Sequence, residues 1–146
     1  MGFKFASIKK FLLDVLVFLF ILLFVYASVS KLVDYETFEN QLGQSPLLSA
    51  FAGWVAPGLI IIELLIALFL IFERTRLIAL FGFYSMMVLF TTYIIIILNF
   101  TDFIPCSCGG VLEQLGWTEH LIFNVGFMGL GVVGIFIQSS KFKVQG

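Results

Sequence analysis

The fold is decided by a stretch that carries one charge in 23 residues, AFAGWVAPGLIIIELLIALFLIF, residues 50–72. A helix that is apolar on every side belongs inside a protein core or in lipid. At 1.5 Å per residue, a stretch of this length crosses a hydrocarbon layer of about 30 Å. Three further stretches, 11–29, 77–100 and 121–138, have similar length and composition. The sequence therefore predicts an all-α membrane protein, a bundle of four transmembrane helices, with residues 1–146 as its single domain.

The composition excludes a soluble protein. The chain is 61% hydrophobic and 12% charged, whereas soluble domains keep about 25% of their residues charged. No run of basic residues indicates nucleic-acid binding. The stretch 11–29 follows three lysines, as a signal peptide would, but it exceeds the roughly 7–15 apolar residues of a signal sequence. We therefore expect it to be a retained helix.

The cations are distributed unevenly between the two sides of the predicted bundle. Four helices place seven of the eight on one side, and Lys31 alone on the other. The seven are Lys4, Lys9, Lys10, Arg74, Arg76, Lys141 and Lys143. Because lysine and arginine accumulate on the cytoplasmic side, both termini are predicted to be cytoplasmic. The loops at 30–49 and 101–119 are then predicted to face outward.

The second outer loop contains the two cysteines of the chain, Cys106 and Cys108, in the segment PCSCGG at 105–110. Disulfides form and persist outside the cytoplasm. A pair this close reaches the Cα separation of about 4.4–6.8 Å only with strain, and a strained, exposed disulfide is a good oxidant. It would also close almost no loop, so it would add little stability. The pattern favours a redox pair.

Three other interpretations of the cysteines stay open. They could be inert thiols, or a bridge that only shapes the loop. They could also bind copper, because Cu(I) accepts few soft ligands, whereas a closed zinc site needs four. No metal is assigned to the chain on this basis.

His120 follows Cys108 by twelve residues, at the start of the fourth apolar stretch. Its imidazole could act as a base or stabilise a cysteine thiolate, which makes it a candidate catalytic residue. The alternative is a histidine that caps or packs at the membrane interface.

Glu63 and Lys31 are polar candidates within the predicted membrane region. Glu63 lies nine residues, about 13 Å, from the interfacial Trp54, and an ionisable side chain at that depth is a functional candidate. An interhelical hydrogen bond that fixes packing is an equal alternative. Lys31 could reach inward or pair with Asp34. A pair between Lys31 and Glu63 would require Glu63 to lie nearer the outer interface than this count places it.

Several short motifs, in order and spacing, resemble the MauE branch of the DoxX-like integral membrane proteins, a redox-associated family. They are Tyr26-x-Ser28-x-Ser30-Lys31-Leu32-x-Asp34, Trp54-x-x-Pro57 with Glu63, Pro105-Cys106-x-Cys108-Gly109-Gly110, and Trp117-x-x-His120-x-x-x-Asn124. The resemblance implies a four-helix bundle in the bacterial cytoplasmic membrane. The methylamine-utilisation member is linked to disulfide formation in a periplasmic dehydrogenase subunit, alongside a thioredoxin-like partner. By this likeness, Cys106 and Cys108 are the redox pair.

The leading hypothesis is a thiol–disulfide redox protein in the membrane that acts on a periplasmic partner, either thioredoxin-like or a substrate protein. No cysteine lies on the predicted cytoplasmic side, so a cysteine relay across the membrane within this chain is excluded. A quinone or a periplasmic partner must then accept the electrons. The alternatives are a non-catalytic subunit or assembly factor of a larger membrane complex, and a copper-handling protein.

Overall fold

The computed structural model describes residues 2–100 and 116–145, and the regular structure in these ranges is entirely α-helical. The helices are α1 (Gly2–Val33), α2 (Tyr35–Gln44), α3 (Ala52–Ile71), α4 (Arg76–Phe100) and α5 (Trp117–Gln145). All except α2 are long and apolar enough to cross a membrane. The predicted architecture of four membrane-spanning helices is confirmed, and the chain is a multi-pass membrane protein.

The helices α1 and α5 extend well beyond the apolar stretches predicted for them. α1 covers Gly2–Val33 rather than 11–29, and α5 covers Trp117–Gln145 rather than 121–138. Hydropathy marks the part of a helix that lies in hydrocarbon. Backbone hydrogen bonding continues past it through residues such as lysine and glutamine, which favour helix.

The segment 30–49, predicted as a loop, contains the helix α2. Phe38 and Leu42 are one helical turn apart and therefore share a face, which packs against Ala56 and other residues in the first turns of α3. The remaining α2 side chains are mainly polar. A helix of ten residues that presents two apolar side chains gives too weak a periodic signal to be recognised in the sequence.

Contacts between α1 and α4 show that these helices run in the same direction. Arg76, the first residue of α4, donates from Nη1 to Asp14 Oδ1 of α1 at 3.2 Å. Farther along both helices, the ring of Phe83 stacks on that of Phe20 with centroids 4.1 Å apart. α3 and α5 run in the opposite direction. Each is the direct neighbour of α4 in the chain and packs against it.

The contacts of α5 with α4 confirm this reversal. Gly134 of α5 lies against Leu80, and Met128 lies against Thr91, so the later residue on α5 meets the earlier one on α4. The bundle therefore has two distinct ends. We call the end where α1 and α4 finish and α3 and α5 begin the α2 end, and the end that carries residues 72–75 the opposite end.

Large side chains fill the middle and the opposite end of the bundle. The main core is built from the middle of α1, the second half of α3 and the first half of α4. Its largest fully buried apolar members are Phe20, Phe24, Phe83, Leu13, Leu70 and Leu80. Because lipid is as apolar as these side chains, close packing rather than exclusion of water holds such helices together. At the α2 end, a separate and smaller cluster of α2 and α3 side chains is buried.

Candidate functional site

A buried ion pair connects α1 to α3 near the α2 end. Lys31 Nζ lies 2.6 Å from Glu63 Oε1, and Ser28 Oγ donates to Glu63 Oε2 at 2.9 Å. Glu63 is 0% exposed and Lys31 is 7% exposed. Both carboxylate oxygens therefore have partners, as a buried charge requires.

The ion pair forms although the residue count from Trp54 puts Glu63 about 13 Å below the interface. Side chains on a helix lean toward its N-terminus, and α1 and α3 run in opposite directions. The Lys31 side chain therefore leans into the bundle, and the Glu63 side chain leans toward the α2 end. The two charged groups are thus closer together than the residue count along α3 alone indicates. The alternative pairing with Asp34 is not the one adopted, since Lys31 reaches inward to Glu63.

Two aromatic rings enclose the lysine. The Lys31 ammonium lies 5.7 Å from the ring centroid of Phe38 on α2 and 5.5 Å from that of Phe90 on α4. Cation–π contacts at these distances stabilise a desolvated cation. Lys31 thus brings together groups from α1, α2, α3 and α4.

A cavity of about 310 Å³ opens beside this ion pair. It is lined mostly by apolar and aromatic side chains and by the polar residues Lys31, Glu63, Tyr93, His120 and Asn124. All five helices contribute to its wall. A mainly apolar cavity with a few convergent polar groups is the usual form of a small-molecule site.

His120 and Asn124 face the cavity from α5. They are four residues apart, so they lie on the same side of the helix, and both line the cavity. His120 is partly buried. Asn124 is 4% exposed, and its buried Nδ2 has no hydrogen-bond partner within residues 2–100 and 116–145. The amide retains a donor that the described protein groups do not use.

The predicted redox residues Cys106 and Cys108 lie outside the described residues. The helices on either side are described: α4 ends at Phe100 and α5 begins at Trp117, whose side chain lines the cavity. The structure thus brings three of the predicted site residues, Lys31, Glu63 and His120, to one cavity.

Ser28 and Asn124 were not predicted as site residues. Ser28 precedes Lys31 by three residues, so helical spacing alone puts both on one face. Asn124 follows His120 by four residues in an otherwise apolar helix, which gives the same kind of signal. Trp117, which the sequence indicated only as part of the family motif, contributes to the cavity wall as well.

A comparison with protein families finds one whose model matches most of the chain. The matched residues are 9–137, and the family is described as methylamine utilisation protein MauE. No curated protein and no solved structure gives a significant match. The matched region includes all of α3 and α4, most of α1 and α5, and every residue that lines the cavity. The chain belongs to the MauE family of membrane proteins.

Proposed function

We propose that this protein is a thiol–disulfide redox protein of the bacterial cytoplasmic membrane, acting on a periplasmic partner through Cys106 and Cys108. One observation carries the proposal. The segment 101–115, which contains both cysteines, connects two helices at the α2 end, where Lys31, Glu63 and His120 meet at the cavity. The thiols are thus tethered at the same end of the bundle as the ionisable groups.

The tether is short. Cys106 follows Phe100 by six residues, and Cys108 precedes Trp117 by nine. An extended chain spans at most about 3.3–3.6 Å per residue, which bounds the separations at roughly 20 Å and 30 Å. Chain length therefore keeps both cysteines within these distances of the α2 end, where the proposed partner would dock.

The exchange begins with a thiolate of the reduced partner. It attacks one sulfur of a Cys106–Cys108 disulfide, which forms a mixed disulfide and releases the other cysteine as a thiolate. The second thiolate of the partner then attacks the mixed disulfide. The partner leaves with a disulfide, and this protein keeps two thiols. Two electrons have moved from the partner to the cysteine pair, and they must pass on to a quinone or to another periplasmic protein.

His120 is the candidate residue for assisting this chemistry. It lies in the first turn of α5, directly after the segment that carries the cysteines, and it is partly buried at the cavity. An imidazole near a cysteine can take the thiol proton or stabilise the thiolate. We assign His120 that role in the proposal. Glu63 and Lys31 are the other ionisable groups in the wall of the same cavity.

The α2 end faces the periplasm in this proposal. Lys4, Lys9 and Lys10 lie at the start of α1, and Arg74 lies between α3 and α4, all at the opposite end. Lysines near the end of α5 join them there. Because cations accumulate on the cytoplasmic side, this distribution supports an opposite end in the cytoplasm.

Trapping of thiols in whole cells tests the proposal. Acid quenching followed by alkylation should show a Cys106–Cys108 bridge that cycles. The Cys106→Ser and Cys108→Ser variants should between them trap a mixed disulfide with the partner, while Ser107→Ala, which keeps both thiols, should behave as wild type. Full oxidation of partner disulfides in the double cysteine variant would contradict the proposal and favour an assembly role. Copper that co-purifies and is lost with the cysteines would favour copper handling.

A further inference from the structure

We infer that the cavity at the α2 end binds a quinone, and that this quinone takes the electrons of the reduced cysteine pair. The second half of the inference rests on the proposed function. The first half rests on the cavity alone, on its size, its depth in the bundle and its chemistry.

The size and lining of the cavity suit a small aromatic ring. A volume of about 310 Å³ lies at the lower end of the roughly 300–1,000 Å³ typical of ligand sites. The rings of Phe90, Tyr93, Trp117 and Phe123 are among its walls. Flat faces of this kind stack on a planar ligand at centroid distances of about 4.5–7 Å.

The polar groups select a neutral ligand with acceptor atoms. Lys31 and Glu63 cancel each other's charge at 2.6 Å, so the pair does not favour a charged ligand. The ammonium has three N–H donors, and Glu63 accepts one of them. Asn124 adds an amide nitrogen without a partner among the described groups. Donors at an apolar wall fit the carbonyl oxygens of a quinone.

The cavity reaches the face of the bundle that lies in the bilayer. Leu89, part of the cavity wall, is 63% exposed. It lies near the middle of α4, which covers Arg76–Phe100, so its exposed surface faces hydrocarbon rather than water. A ligand that dissolves in the bilayer can therefore enter from the side, while the polar ring atoms reach the buried Lys31.

The electron transfer balances with the quinone as oxidant. The cysteine dithiol gives up two electrons and two protons and closes to a disulfide. The quinone gains two electrons and two protons and leaves as quinol. No further oxidant or reductant is required.

The two tryptophans of the chain provide the readout. Trp117 lines the cavity, whereas Trp54 is 85% exposed and does not line it. Decylubiquinone would be titrated into full-length protein in lipid nanodiscs, in a Cys106→Ser/Cys108→Ser background that prevents thiol chemistry. In the Trp54→Phe variant, added quinone should quench the fluorescence of Trp117, and the quenching should reach a plateau as the quinone concentration rises. In the Trp117→Phe variant, the remaining Trp54 should show only the non-saturable quenching caused by quinone in the bilayer.

Two further variants test the binding site itself in the Trp54→Phe background. Asn124→Leu removes the unpartnered amide at similar volume and should weaken binding by roughly tenfold, the effect of one lost buried hydrogen bond. Ala27→Phe fills part of the cavity, of which Ala27 forms part of the wall, and should abolish saturation. Its control is Ala6→Phe, at an exposed position of the same helix, which should leave binding unchanged.

The outcomes separate this inference from the proposed function. Equal quenching in the two single-tryptophan proteins, or loss of the saturable Trp117 quenching when excess n-decane is added, would overturn quinone binding and indicate a site for lipid tails. Cysteines that cycle in whole cells while quinone fails to bind would overturn this inference alone. Saturable binding in a protein whose cysteines never cycle would overturn the electron transfer and the proposed function together.

Discussion

Lys31 of α1 and Glu63 of α3 form an ion pair 2.6 Å long inside the membrane-spanning bundle, with both side chains buried. Removal of one partner leaves the other charge buried without compensation, which typically costs about 3–5 kcal/mol. Replacement of both partners by apolar side chains of similar size costs much less. The pair is therefore expected to be strongly coupled in its contribution to the free energy of unfolding.

The first prediction follows from this coupling. Glu63→Leu should lower the free energy of unfolding by about 3–5 kcal/mol, measured by denaturant titration in detergent micelles. The Lys31→Met/Glu63→Leu double variant should recover most of that loss. The Lys31→Met single variant completes the set. If the free-energy losses of Glu63→Leu and Lys31→Met simply add in the double variant, the ion pair is not the source of the destabilisation.

A second prediction concerns the ion pair near the opposite end, between Asp14 and Arg76. The Asp14 side chain is 47% exposed and that of Arg76 is 10% exposed. Arg76 Nε also donates to the carbonyl oxygen of Leu70 in α3 at 3.2 Å. Asp14→Asn should therefore cost less than about 1 kcal/mol, as for an exposed pair. Arg76→Met should cost about 1–3 kcal/mol, because it removes the donor to the buried carbonyl oxygen of Leu70.

Thermal unfolding of the two variants in the same detergent would measure this difference. Asp14→Asn keeps the arginine and its contact with Leu70, so it serves as the control for loss of the charge pair alone. Equal destabilisation by both substitutions would mean that the hydrogen bond to Leu70 contributes nothing.

The third prediction compares two glycines of α5. A Cβ on Gly134 would lie 3.4 Å from Leu80 Cδ2 and 3.6 Å from Phe20 Cε2, whereas a Cβ on Gly126 would have no heavy atom within 4 Å. Gly134→Leu should force α5 away from α1 and α4 and destabilise the protein by about 1–3 kcal/mol. Gly126→Leu, the same change on the same helix, should be neutral or slightly stabilising. Similar melting temperatures for both variants would contradict this packing.

The sequence predicts the membrane spans well and the site only in part. Lipid admits long apolar segments and little else, so composition alone reveals them. Glu63 was recognisable as an isolated charge in such a segment. Its pairing with Lys31 could not be recognised in the sequence. The contact forms because side chains on the antiparallel helices α1 and α3 tilt in opposite directions. The contribution of Phe38 depends on how α2 lies across α3, which no local pattern of the chain specifies.

The fourth prediction tests the proposed orientation. In a protein with Cys106→Ser and Cys108→Ser, a single new cysteine reports which side of the membrane it occupies. Glu36 in the first turn of α2 and Glu73 between α3 and α4 are both exposed and lie at opposite ends of the bundle. A membrane-impermeant maleimide should label the Glu36→Cys variant in intact bacterial cells.

The Glu73→Cys variant should be labelled only after the membrane is permeabilised, because the cation distribution predicts that its end faces the cytoplasm. A permeant maleimide should label both variants equally and serves as the control for reactivity. The reverse pattern in intact cells would put the α2 end in the cytoplasm, where glutathione keeps thiols reduced. An oxidising Cys106–Cys108 pair would then be untenable, so this measurement bears on the orientation and on the redox proposal at once.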